Sequence, residues 1–169
     1  MIKLKVSSNG KLVMKGGKPS CECCSEIQLE IRYDWEGTDM KDLDTSTQAF
    51  NESVGYACAG GAGRYVKWLP GKTGRTDDTS LNGFERVNVL VSSAKKAGLW
   101  TSSVNVKCFA GWFTPSGGSG DAKIEVTYRS KTKVMRIVPG SQTACADTQV
   151  ATITVYSKLQ PDQSYFELS

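Results

Sequence analysis

The sequence predicts an all-β protein, an antiparallel two-sheet β-sandwich with a peripheral N-terminal hairpin or arm. Three observations carry this. Segments of strict period-2 alternation recur along the chain, clusters of turn residues separate them, and Val plus Ile (20) outnumber Leu (10) beside 17 Gly. With 169 residues, 39% of them hydrophobic, the chain suffices for one domain with a real core and is short for two.

Taken in order, residues 1–25 read as a Lys-rich arm or hairpin. Residues 1–20 hold five Lys and no acid, and Asn9-Gly10 sits between alternating apolar residues, the strongest short hairpin signal. Gly16-Gly17-Lys18-Pro19 and a Cys cluster then read as a linker to a sandwich over residues 26–169. Ile27, Leu29, Ile31 and Tyr33 open the sandwich with a half-buried strand ending at Asp34-Trp35. Further strands are expected over 53–59, 64–69, 84–92, 103–112, 121–129, 133–138 and 149–156. Gly60-Gly61-Ala62-Gly63, Pro70-Gly71, Asn82-Gly83, Pro115-Ser116-Gly117-Gly118 and Pro139-Gly140 read as the turns between them. Only 92–98 looks helical, with Ser92 available as N-cap and Gly98 as terminator. Seven or eight short strands joined by turns make a sandwich.

Composition narrows the function classes. The net charge of +4 is mild, where a nucleic-acid binder normally concentrates a basic face. No apolar run approaches the roughly 18 residues of a membrane span. The absence of His removes the commonest general base and zinc ligand. There is no G-x-S-x-G elbow, no P-loop and no Cys with a His to activate it, so the reading is non-enzymatic. A carboxylate pair for glycoside hydrolysis among Asp42, Asp44 and Glu85 is the remaining enzymatic arrangement, and clustering in one short segment suits cation ligation better.

Six cysteines, Cys21, Cys23, Cys24, Cys58, Cys108 and Cys145, fit a disulfide framework in an oxidising compartment, free thiols, or a Cys-only metal site. The single cluster at Cys21-Glu22-Cys23-Cys24 lacks the paired spacing of a four-Cys zinc site, which favours disulfides or thiols. Cys58, Cys108 and Cys145 are expected on or beside strands. Met1 to Val6 alternates without an apolar h-region. The expected location is therefore a virion or the cell exterior, reached after loss of a leader or by release in a particle, with a reduced cytoplasmic form still open.

The most concentrated chemistry is Asp34-Trp35-Glu36-Gly37-Thr38-Asp39-Met40-Lys41-Asp42-Leu43-Asp44, five carboxylates against one Lys. Such charges either splay into water or share a cation. Calcium takes six to eight oxygens in loose geometry and suits the second case. In an extended stretch Asp42 and Asp44 project to one side while Leu43 packs inward. The expected Ca²⁺ ligands are Asp39, Asp42, Asp44 and Glu85, with Asp77-Asp78 as a further source of oxygens. Aromatic residues offer an alternative: Trp112 and Phe113, before a Gly-rich loop, read as a sugar-stacking platform of a carbohydrate-binding module, although most such residues are packing.

Trp35, then Asp42-Leu43-Asp44, then Gly83-Phe84-Glu85-Arg86-Val87 resemble calcium-binding bacterial β-sandwich families, the tellurite-resistance family and the surface-exposed domains with a D-L-D-L signature. The similarity spans about residues 27–112, and Thr45 stands where the second Leu would be. The resemblance implies a calcium site that carries over to Asp42 and Asp44, and more loosely to Glu85. The segment from Gly10 to Pro19, followed by clustered Cys, resembles the leading segments of phage tail-associated proteins. That resemblance implies a virion protein that assembles in the cytoplasm and leaves by lysis. The missing catalytic motifs, the Lys-rich arm suited to docking and the Ser/Thr/Gly-rich β body predict a structural or adhesion module of a virion or extracellular assembly, with copies of itself, other subunits or glycans as partners.

Overall fold

The computed structural model describes residues 5–6, 12–13, 26–37, 42–56, 61–113, 120–142, 148–162 and 164–169. Two strands near the N-terminus, β1 (Lys5–Val6) and β2 (Leu12–Val13), pair antiparallel as a sheet of their own; the Asn9-Gly10 turn expected between them lies outside the described residues.

Eleven further strands and one short helix follow: β3 (Leu29–Gly37), β4 (Asp42–Ala49), β5 (Glu52–Gly55), β6 (Val66–Leu69), β7 (Asn82–Val89), α1 (Val91–Lys96), β8 (Ser103–Phe113), β9 (Gly120–Tyr128), β10 (Lys131–Ile137), β11 (Gly140–Gln142), β12 (Gln149–Tyr156) and β13 (Phe166–Leu168). One antiparallel sheet runs β10-β9-β3-β7-β6 and the other β13-β12-β8-β4-β5. Past the end of β12, β11 pairs parallel to the last residues of β8. The two sheets pack face to face as an all-β sandwich.

Alternation explains most of this. In β3, Leu29, Ile31, Tyr33 and Trp35 are buried while the residues between them face outward. Val87 and Val89 on β7, Ile124 and Val126 on β9, Val106, Cys108, Ala110 and Trp112 on β8, and Ile153 and Val155 on β12 complete the shared core. Two side chains seal the flanks between sheets. Glu52 on β5 accepts the backbone N–H groups of Arg64, Tyr65 and Val66 at 2.8, 2.7 and 2.9 Å. On the opposite flank Lys133 on β10 donates to the Phe166 carbonyl at 2.9 Å.

Four expectations are corrected. Residues 42–49 form a strand, although the acidic segment shows no apolar alternation. This strand lies between β8 and β5, and seven of its eight residues are buried. Asn82-Gly83 opens β7 instead of making a turn: a Cβ on Gly83 would lie 2.5 Å from the Trp35 ring, so glycine is there for close approach. Helix α1 starts one residue early and has no capping side chain of its own. Glu26 takes the Ser93 N–H at 3.1 Å, and the Ser92 hydroxyl accepts the Ile27 N–H. Gly98 does terminate that helix, at φ 75°. Finally, Gly140 of the expected Pro139-Gly140 turn opens β11, and both β11 and β13 are too short to show a period.

Candidate metal centre

Strand β4 begins at the carboxylates. Its register places Asp42, Leu43 and Asp44 opposite Phe113, Trp112 and Gly111 of β8. On the other side β5 joins the ladder only at Ser46 opposite Gly55. The expected alternation holds: Leu43 is in the core, and Asp42 and Asp44 share the other face. Both are nonetheless buried, at 8% and 2% exposure. Asp77, from the 70–81 loop between β6 and β7, joins them. Asp42, Asp44 and Asp77 each offer a carboxylate oxygen within 4.8 Å of the other two.

The neighbouring Asp78 shapes that loop. Its buried carboxylate accepts the backbone N–H of Lys72 at 2.8 Å, that of Ser80 at 3.1 Å, and the Ser80 hydroxyl. Burial raises its pKa, but the Ser80 hydroxyl and the Ser80, Lys72 and Phe84 N–H groups outweigh it and hold the group below its usual value. Glu85 ties the loop to the strand. One of its oxygens accepts the Thr45 hydroxyl and the other the Asp78 N–H at 3.2 Å. Burial pushes Glu85 well above the usual carboxylate value; those two hydrogen bonds oppose the shift, and the charges of Asp77 and Asp44 add to it.

Asp42 and Asp77 shift in the same direction as Glu85. Asp42 is raised by burial and by the charges of Asp77 and Asp78. Asp77 is raised by burial and by Asp78, with Arg75 opposing. Neither Asp42 nor Asp77 forms an ion pair with a Lys or Arg among the described residues. Three hard oxygen donors match the oxygen chemistry of Ca²⁺.

Of the expected ligands, Asp42 and Asp44 come together, and Asp77 is the acid of the Asp77-Asp78 pair that joins them. Glu85 stands outside the triad, as a tie between β4 and the loop. Asp39 lies outside the described residues. The adjacent acids at 77–78 were visible in the sequence, but their opposite roles were not.

Trp112 does not form a sugar platform. It is 3% exposed because even-numbered β8 residues face the core, where it packs with Leu43. Phe113, on the alternate face, is 37% exposed, without that partner ring. Cys108 lies on a strand as expected, as a buried free thiol pushed up to about 12 by burial, with the Tyr33 hydroxyl opposing. Cys21, Cys23, Cys24, Cys58 and Cys145 lie outside the described residues, and no disulfide occurs among the described ones. In comparisons with known proteins the chain matches no family model, no curated protein and no solved structure.

Proposed function

We propose that this protein is a non-enzymatic structural or adhesion module of a virion or extracellular assembly. One Ca²⁺, held by Asp42, Asp44 and Asp77, fastens the 70–81 loop to β4. The observation that carries this reading is the carboxylate triad itself, with two members almost fully buried at one end of a rigid sandwich. Buried carboxylates that face one another repel when ionised, and a divalent cation removes that repulsion while bridging two elements. The D-L-D resemblance of Asp42-Leu43-Asp44 points the same way.

The arm supports the assembly half. Residues 1–25 hold five of the 21 basic residues and one of the 17 acids, so the net +4 resides there and residues 26–169 are neutral. A two-stranded ribbon is marginal by itself in water, which suits a segment that gains its stability on a neighbouring subunit.

Thermal melts with calcium, magnesium and a chelator test the cation. Calcium at 100 times its dissociation constant adds about 2.7 kcal/mol. At about 2–4 °C per kcal/mol for a chain of this size, that is roughly 5–10 °C. Magnesium, which demands compact octahedral geometry, gives less. Equal melting temperatures with calcium and chelator in the wild type overturn the cation, and unchanged assembly after removal of residues 1–25 overturns the arm.

A further inference from the structure

The outer face of the β10-β9-β3-β7-β6 sheet carries a groove of about 690 Å³. Register sets its floor. Lys123, Asp34 and Phe84 stand side by side across β9, β3 and β7, and Asp121, Glu36 and Asn82 form the next row. We propose that this groove binds a neutral oligosaccharide. The reading goes beyond the function proposed above and does not depend on its cation.

Preorganisation separates this surface from an ordinary solvated face. The Arg32 guanidinium grips Asp34, with Nε at 2.8 and 2.9 Å from the two oxygens and Nη2 at 2.6 Å from one. The same guanidinium lies 3.9 Å over the Phe84 ring. The Lys72 ammonium donates to the Asn82 carbonyl, and Arg136 pairs with Asp121. Ordering a long polar side chain on binding costs conformational entropy, and here Arg32 and Lys72 are already held by protein partners.

The charge pattern selects the ligand class. Arg32, Lys72, Lys123 and Arg136 face Asp34, Glu36 and Asp121, so the groove is close to neutral. A polyanion or a cationic peptide would meet as much repulsion as attraction. Sugar hydroxyls each donate and accept, and interleaved ammonium, guanidinium, amide and carboxylate groups complement them. Val134, 57% exposed at the rim, supplies apolar surface for the C–H face of a sugar ring, and the Arg32 guanidinium stacked on Phe84 presents a planar set of donors to its hydroxyls.

The test uses the full-length chain on an array of neutral gluco-, manno-, galacto- and chito-oligosaccharides, with polygalacturonate and heparin as anionic probes, followed by calorimetry. Selective binding of a neutral class is expected, weakened at least about tenfold by Lys123→Ala combined with Glu36→Gln. Both positions are exposed, so an unchanged melting temperature certifies the fold. Glu30→Gln, on the same face beyond the groove, leaves binding unchanged. Failure to bind any neutral oligosaccharide at millimolar concentration overturns the proposal. So does binding indifferent to the double variant, or binding confined to the anionic polymers with steep salt dependence.

Discussion

Asp77 and Asp78 are adjacent in the chain and have opposite fates. Asp78 is buried among donors, and its carboxylate is held below the usual value. Asp77 turns toward Asp42 and Asp44, and burial together with its acidic neighbour raises it. At the β5–β6 flank three backbone N–H groups likewise converge on one carboxylate, that of Glu52. Glu85 falls between, with two donors and a net upward shift. The lesson is that burial alone does not decide what a carboxylate does. Convergent donors make it a structural tie, and convergent acids raise it.

Removing the tie is the hardest break. Asp78→Ala strips the Lys72 and Ser80 N–H groups of their acceptor inside a closed loop, and should cost about 3 kcal/mol in urea unfolding, since one unsatisfied buried group costs about 1–3 kcal/mol. The same variant should lose most of its calcium response, because the loop no longer presents Asp77. A loss within experimental error in both measurements would show that the loop is shaped by something other than Asp78.

Weakening the other member of the comparison should have the reverse sign. With chelator present, Asp42→Asn/Asp44→Asn should melt no lower than the wild type and should show no calcium shift, in place of the roughly 2.7 kcal/mol expected at 100-fold saturation. A calcium shift of wild-type size in that variant would place the ion elsewhere.

The pH profile sharpens the contrast without mutation. Asp42, Asp77 and Glu85 have folded pKa values above their unfolded ones, so the native state holds more protons and stability falls as pH rises through that window. Asp78 is depressed, so its contribution is present above the unfolded carboxylate value and fades as pH falls through the folded one. Metal-free melting temperature should therefore peak at mildly acidic pH, and calcium should flatten the decline on the alkaline side. A metal-free profile rising steadily from acid to neutral pH would contradict the raised values.

The smallest effect belongs to the core. The buried Tyr33 hydroxyl meets the Thr47 hydroxyl at 2.7 Å and the Cys108 thiol. Tyr33→Phe removes this bond but keeps the ring, and should cost about 1 kcal/mol by urea titration with no change in calcium response.

How much of this was legible in the sequence depends on whether a segment has one wet face. β3, β7, β8, β9 and β12 alternate between core and solvent, and their residues announce it with a period of 2. The same alternation determined that Asp42 and Asp44 share a side of the chain. β4 itself was not legible, because a strand buried on both faces behind Thr, Ser and Asp has no apolar rhythm to show. Trp112, by contrast, was legible, since it continues the even-numbered run of Val104, Val106, Cys108 and Ala110 that the same period of 2 sends into the core, and reading it as a platform overlooked that run. Glycine at 83 looked like a turn because its need, the Trp35 ring packed against it, lies on another strand. The acids divide in the same way: local spacing set Asp42 beside Asp44, while the fold of the 70–81 loop chose Asp77 over Asp78. Spacing along a strand is local geometry, whereas the donors around a loop carboxylate come from residues that meet only when the chain has folded.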